Sequence, residues 1–514
     1  MEDTQGSHSA PLEVLLCDTF SLVPSSGTLL SLVLTSKELV THSLTPDSQG
    51  PSHPSLFLAD CVGCSSFRGK DPADLGGYFT ALFYPLKGNI LGSALSRQRV
   101  SRTFRTEASR DREQNLNLAR TWARKIRELA EEQGTPLPSA LQVLVLLNPH
   151  SGTGKALELF QTIVMPMLSE AEVQFTLMVT ERQNQAQELV RDEDLSRYNI
   201  IVVMSGDGLM FEVINGIMER PDWASAIKKP LAILPGGSGN ALAASISHYA
   251  GHQQVMGTKL LTNCAFVMCK GKPHPLDLVS LTTSTGRRIF SFLSLAWGLF
   301  SDVDIESEKY RFMGPARFSI ITAYRITALR IYKGRLSYLP ANALLGGLEN
   351  KAEAESSQPN SNKTNHKPTK DSPASPILED TLLVPLDHPV PSHWSVVSED
   401  QFIFVLALYQ SHLGADLYTA PMIKDLGEGL IHLFYATSRI SRTSLLKFLV
   451  SMEKGTHLDT AIPHLEHVPV KAFRVEPLQT GGIMTVDGEA IPSNAIQGQI
   501  HSGLGSIISI PQGT

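Results

Sequence analysis

No apolar run in this 514-residue chain reaches the roughly 18 residues that a membrane-spanning helix requires. Phe290–Phe300 comes nearest, and Ser291, Ser294 and Gly298 break it. Cysteine is sparse. The set is Cys17, Cys61, Cys64, Cys264 and Cys269, odd in number and scattered, which excludes a disulfide framework and fits free thiols in a reducing compartment. Cys61 and Cys64 have the spacing of half a zinc site, but no second ligand pair follows at a suitable distance, so core thiols are the preferred reading and the metal ligands stay unknown. A basic excess is missing as well: the net charge is −6, which argues against a nucleic-acid partner. The polar segment Met1–Pro11 lacks the basic start that opens a secretory signal. These absences predict a cytoplasmic protein, with Lys87, Arg97, Arg99, Arg102 and Arg105 as only a thin candidate for nuclear targeting.

What remains is an ordinary globular composition, 42% apolar and 18% charged, in a chain long enough for two to four domains. Three glycine-broken turns are its most informative feature, each following an apolar run. Asn148-Pro149-His150-Ser151-Gly152-Thr153-Gly154-Lys155 follows Leu141–Leu147. Ser205-Gly206-Asp207-Gly208 follows Ile200–Met204, and Pro235-Gly236-Gly237-Ser238-Gly239-Asn240 follows Leu231–Leu234. The stretch after each reads as a helix. Parallel strands of a doubly wound sheet gather such turns at one edge, where ligands bind. Glycine lets the backbone close on a phosphate while the N–H groups of the helix start point at it. Three such turns in one segment predict a nucleotide-phosphate site. Only the second carries a carboxylate, Asp207, between two glycines. That placement suits a general base beside a phosphoryl acceptor; the plainer reading is a cap on the helix that follows. Lys155 does not fit the spacing G-x-x-x-x-G-K-[ST], so no phosphate contact is assigned to it.

The organisation reads as α/β plus β. Residues 1–11 are expected to be disordered. Residues 12–132 hold short β-type runs and then one helical pattern, Leu116, Ala119, Trp122, Ile126 and Leu129, which together look like a β-rich, pleckstrin-homology-like extension. Gly134, Pro136 and Pro138 mark a boundary. Residues 139–273 alternate strand and helix, predicting an α/β nucleotide-binding domain with a parallel sheet. Residues 274–514 read as strands separated by turns, predicting an antiparallel β-sandwich, interrupted at 349–382 by a flexible loop that carries Ser372-Pro373 and Ser375-Pro376.

The three turns together resemble the diacylglycerol-kinase superfamily of lipid kinases. Ser301-Asp302-Val303-Asp304-Ile305-Glu306-Ser307-Glu308-Lys309-Tyr310-Arg311, Phe292–Gly298 and Val486-Asp487-Gly488-Glu489 narrow the resemblance to sphingosine kinases. The N-terminal extension and His274-Pro275-Leu276-Asp277-Leu278 lean toward the second, longer vertebrate type, although the central loop is shorter than usual there.

That resemblance implies ATP-dependent phosphorylation of the primary hydroxyl of sphingosine and dihydrosphingosine, with ATP and magnesium as cofactors and Asp207 as the base. It implies nucleotide contacts from Asn148, Pro149 and His150, from Thr180, Glu181, Arg182, Gln183 and Asn184, and from Glu212, Gly237, Ser238 and Gly239. Arg311 and Arg317 would hold the terminal phosphates, and Asp487, Gly488 and Glu489 the adenosine end. The acceptor site would comprise Ser205, Gly206, Asp207 and Gly208, with Asp304 on the amino head of the lipid. Phe300, Val303, Phe318, Leu406, Leu413, Phe434, Leu449 and Leu465 would line the tail slot, though each alone is more often plain core. Ser441–Glu453 is a candidate lid helix, and Arg317–Arg335 a basic amphipathic stretch suited to calmodulin, to a membrane surface or to a half-buried helix. The expected partners are a sphingoid-base lipid and, transiently, a membrane surface, where the protein would sit peripherally. The alternatives are a ceramide or diacylglycerol kinase of the same superfamily and a non-catalytic lipid-binding scaffold.

Overall fold

A computed structural model describes residues 13–24, 29–44, 55–88, 94–133, 141–313, 316–343, 378–479 and 482–510. Segment 1–11, nearly all of the boundary 133–140 and most of the loop 349–382, Ser372 and Ser375 included, lie outside the described residues. The chain forms two compact units. One comprises Met1–Leu141, Gln161–Gln174 and Leu261–Lys272; the other Gln142–Phe160, Phe175–Leu260 and Pro273–Thr514.

The first unit is built on a seven-stranded antiparallel sheet closed by one helix, Arg112–Glu132. Across the sheet lie Leu56–Phe57, Glu38–Ser43, Leu29–Thr35, Val14–Val23, Val100–Thr106, Gly77–Phe83 and Cys61–Arg68. Asp111 starts the helix by accepting from the Glu113 N–H, and the expected stripe from Leu116 to Leu129 is buried. Trp122 packs against Phe20 and Phe79, and its indole N–H donates to Asp18 at 2.8 Å. Cys61 and Cys64 are buried free thiols of this core. Burial pushes the Cys61 thiol up to about 11, so it behaves as an inert apolar side chain.

In the second unit Gln142–Leu147, Ile200–Ser205 and Leu231–Pro235 pair in parallel, with Gln174–Val179 beside the first of them at the edge. Ile200–Ser205 and Leu231–Pro235 are buried along their whole length, as strands covered on both faces require. Leu231 also pairs in parallel with Ile507 of the last strand, Ile496–Ser509. That strand carries the sheet on into the antiparallel strands Leu465–Pro477, Tyr332–Pro340, Gln401–Leu408, Ser294–Gly298 and Ile483–Val486. Trp297, Phe402, Val405 and Phe473 are among the residues of their core.

The apolar stretch from Arg288 to Gly298 is two strands, Arg288–Ser291 and Ser294–Gly298. The break has a cause. The buried Asp487 carboxylate accepts from the N–H groups of Phe292 (3.1 Å), Leu293 (3.0 Å) and Ser294 (2.9 Å) and from the Ser291 hydroxyl (2.7 Å), folding the chain around itself. Among the described residues no helix is long and apolar enough to cross a membrane.

Candidate active site

The three glycine turns are bonded to one another. Asn148 N–H donates to the Met204 carbonyl (3.3 Å), and the Asn148 side chain accepts from the His150 N–H (3.0 Å). Buried Ser151 then accepts from the Ser205 hydroxyl (3.0 Å) and from the Gly206 N–H (3.2 Å). The third turn joins through Gly236 N–H on the Ser205 carbonyl (2.9 Å). Gly206 and Gly237 pass backbone against backbone: a Cβ on Gly206 would stand 3.2 Å from the Gly237 Cα, and one on Gly237 would collide with Gly206. Close approach, more than turn geometry, demands glycine here.

Asp207 opens the helix Asp207–Met218 but caps a different one. Its Oδ2 accepts from the Ala241 N–H (2.8 Å) and its Oδ1 from the Leu242 N–H (3.1 Å), at the start of Ala241–Tyr249. The carboxylate is therefore oriented by the positive end of the helix that follows the third turn. Burial raises its pKa above the ordinary aspartate value, against the pull of those two N–H groups.

Around Asp207 opens a cleft of about 810 Å³. It is lined by Asn148, His150, Thr180, Glu181, Arg182, Gln183, Glu212, Gly237, Ser238, Gly239 and Arg317 of the expected nucleotide set, and by Asp487, Gly488 and Glu489. Ser205, Gly206, Gly208, Phe300, Val303, Asp304, Phe318, Leu413 and Leu449 of the expected acceptor set line it too. Pro149, Asn184, Leu406, Phe434 and Leu465 do not. Asn184, at φ 61°, begins the helix Gln185–Asp192, whose Ala186 N–H is accepted by Glu212 (3.2 Å). Leu406 and Phe434 are wholly buried and face each other across paired strands. The Arg311 side chain lies outside the described residues.

Several side chains are committed to the protein itself. Asp487 spends its carboxylate on residues 291–294, so only the turn it starts is left to meet a ligand. Arg317, 5% exposed, reaches Glu308 (3.1 Å) and lies over the Phe318 ring. Asp304 accepts a long bond from the Thr485 hydroxyl (3.4 Å), and burial pushes its carboxyl up to about 7 although the Arg317 charge opposes this. Ser441 caps the candidate lid, Arg442–Met452, by accepting from the Ser444 N–H. The basic stretch Arg317–Arg335 divides into a helix, Ala316–Thr327, and the start of the strand Tyr332–Pro340. Arg325 is buried and paired with Glu306 (2.6 Å).

Sequence reasoning missed Ser294, Glu308, Asp416, Leu417, Leu446, Val450 and Glu453, all of which line the cleft. Ser294 and Glu308 sit inside motifs already singled out, and Leu446, Val450 and Glu453 inside the candidate lid Ser441–Glu453; Asp416 and Leu417 stand in a stretch with no chemical signature.

Parallel strands that deliver three interlocked glycine turns and one oriented carboxylate to a cleft walled by apolar helices define a lipid kinase. The family described as the diacylglycerol kinase catalytic domain matches residues 142–281, which include all three turns. The chain is 51% identical to Homo sapiens sphingosine kinase 1 over 370 residues, covering 71% of this chain and 90% of that one. It is 35% identical to Homo sapiens sphingosine kinase 2 over 610 residues, covering 97% and 92% respectively. To Arabidopsis thaliana sphingosine kinase 1 it is 32% identical, covering 72% of each chain. The chain belongs to the sphingosine kinase family.

Proposed function

We propose that this protein transfers the γ-phosphoryl group of ATP, taken up as MgATP, to the primary hydroxyl of sphingosine or dihydrosphingosine, giving the 1-phosphate and ADP. The observation that carries this reading is the Asp207 carboxylate, held by Ala241 and Leu242 where the three turns meet the cleft. Asp207 takes the hydroxyl proton as that oxygen bonds to phosphorus and the bond to the ADP oxygen breaks. Its raised pKa favours proton acceptance. The turn Gly237–Gly239 offers backbone to the phosphates, and Arg317, together with Arg311, neutralises charge on them. Among the described residues no three His, Cys, Asp or Glu side chains converge as a metal site, so magnesium is read as arriving on the triphosphate, where it neutralises charge.

Substrate choice rests on Asp304. A half-buried carboxylate favours a cationic amino alcohol over a neutral glyceride, and the relatives' names support the same substrate. In this reading residues 139–273 serve the nucleotide and 274–514 the lipid, with 12–132 as an accessory extension. Ile320 and Tyr324, 51% and 58% exposed on Ala316–Thr327, support transient docking on a membrane surface. Calmodulin would have to release Arg317 and Arg325 from their buried pairs before using the same stretch.

The test is phosphate transfer from radiolabelled ATP by purified protein to sphingosine, dihydrosphingosine, ceramide and diacylglycerol. Preference for the two free amino alcohols is expected; preference for ceramide or diacylglycerol, or no transfer at all, contradicts the proposal.

A further inference from the structure

The cleft carboxylate Asp416 has no part in the roles assigned above. Asp416 lies in the turn Leu413–Leu417, and that turn is braced from several sides. Ala415 N–H donates to the Gly239 carbonyl (2.8 Å), hanging the turn on the third glycine loop. Gln254 donates to the Ala415 carbonyl (3.1 Å), Leu413 N–H bonds across the turn to the Leu417 carbonyl (3.1 Å), and the Ser245 hydroxyl accepts from the His412 N–H (3.2 Å). Asp416 itself is half-buried, lines the cleft, and makes no hydrogen bond or ion pair among the described residues. A Cβ on Gly414 would stand 3.1 Å from its Oδ1, so glycine there leaves the space that the carboxylate fills.

A partly desolvated carboxylate without a partner costs stability, and a rigid mount removes its freedom to seek one. A ligand cation offsets that cost. The anchor places it near the chemistry: Gly239 bonds to the next residue back, and a Cβ on Gly239 would lie 3.5 Å from the Asp207 carboxylate. Its neighbours Leu413 and Leu417 line the same cleft with apolar surface, which suits the junction of a lipid's head and tail.

We propose that Asp416 is a second anionic contact for the ammonium group of the lipid acceptor, acting with Asp304 to select a free amine. The inference rests on the amino-alcohol reading above.

The test is steady-state kinetics of full-length Asp416→Asn and Asp416→Glu beside the unsubstituted enzyme, with sphingosine and diacylglycerol in mixed micelles. For Asp416→Asn the KM for sphingosine is expected to rise about tenfold while kcat stays within about twofold. The KM for ATP holds, and Asp416→Glu recovers most of the loss. Added salt weakens sphingosine use less in the Asn variant than in the parent, because one attractive charge is gone. An unchanged KM for sphingosine, or a loss that falls on ATP instead, overturns the proposal. If the parent enzyme prefers diacylglycerol, the amino-alcohol reading fails and this inference with it. If the parent prefers sphingosine and the Asn variant matches it, only the role of Asp416 fails.

Discussion

The Oδ2 of Asp207 accepts from the backbone N–H of Ala241 at 2.8 Å, so the carboxylate on the second turn is the cap of the helix after the third. The second-turn carboxylate and the third turn are thereby coupled. Asp207→Ala should lose both cap bonds and about 1 kcal/mol of stability, whereas Asp207→Asn, whose single amide oxygen can keep one of the two bonds, should lose less. Denaturant unfolding of both variants checks this, and equal stability of Ala and Asn would refute the capping role.

Gly237 and Gly154 differ in what surrounds them. Gly237→Ala must push the third turn away from Gly206, and kcat/KM for ATP is expected to fall about 100-fold. Gly154 has open space around it, so its alanine variant meets only the strain of a φ of 77°, about 1 kcal/mol, and should keep near-parental kinetics. Equal losses in the two would show that packing between the turns does not set activity.

The pH dependence of lipid use follows from Asp304. Its carboxyl is held up to about 7, so it is protonated and uncharged below that pH and able to attract an ammonium above it. kcat/KM for sphingosine should therefore rise through about 7 as Asp304 ionises. Asp304→Asn should remove the limb near 7 and lower kcat/KM about tenfold or more. A pH–rate profile decides it; an identical limb in the variant rules out the head-group role.

Much of the candidate site was legible as a set of turns because its constraints are local. Gly206 and Gly237 have to be glycine where two backbones touch, and uninterrupted runs such as Ile200–Met204 signal strands covered on both faces. The same double coverage hides which side chain faces which layer, which is why Leu406 and Phe434 read as tail contacts and lie in the core. Asp487 was read as a ligand turn, but its carboxylate serves residues 291–294, nearly two hundred positions away in sequence, and no spacing rule reaches that far. Cys61–Arg68 is a strand without a clear signal, because its Gly and Ser residues break the alternation that marks one.

Asp487→Asn tests that structural assignment. An amide there turns donors toward backbone donors, and stability should drop by about 2–4 kcal/mol. Thermal melting registers the loss; a variant as stable as its parent would return Asp487 to the ligand-binding set.

Single-turnover phosphate transfer by Asp207→Asn separates proton transfer from folding, because the amide oxygen keeps one of the two helix-cap bonds. With sphingosine and labelled ATP at saturation, the expected rate lies at least about 100-fold below the parent enzyme with ATP binding retained. A rate within a few-fold of the parent would show that another group receives the proton.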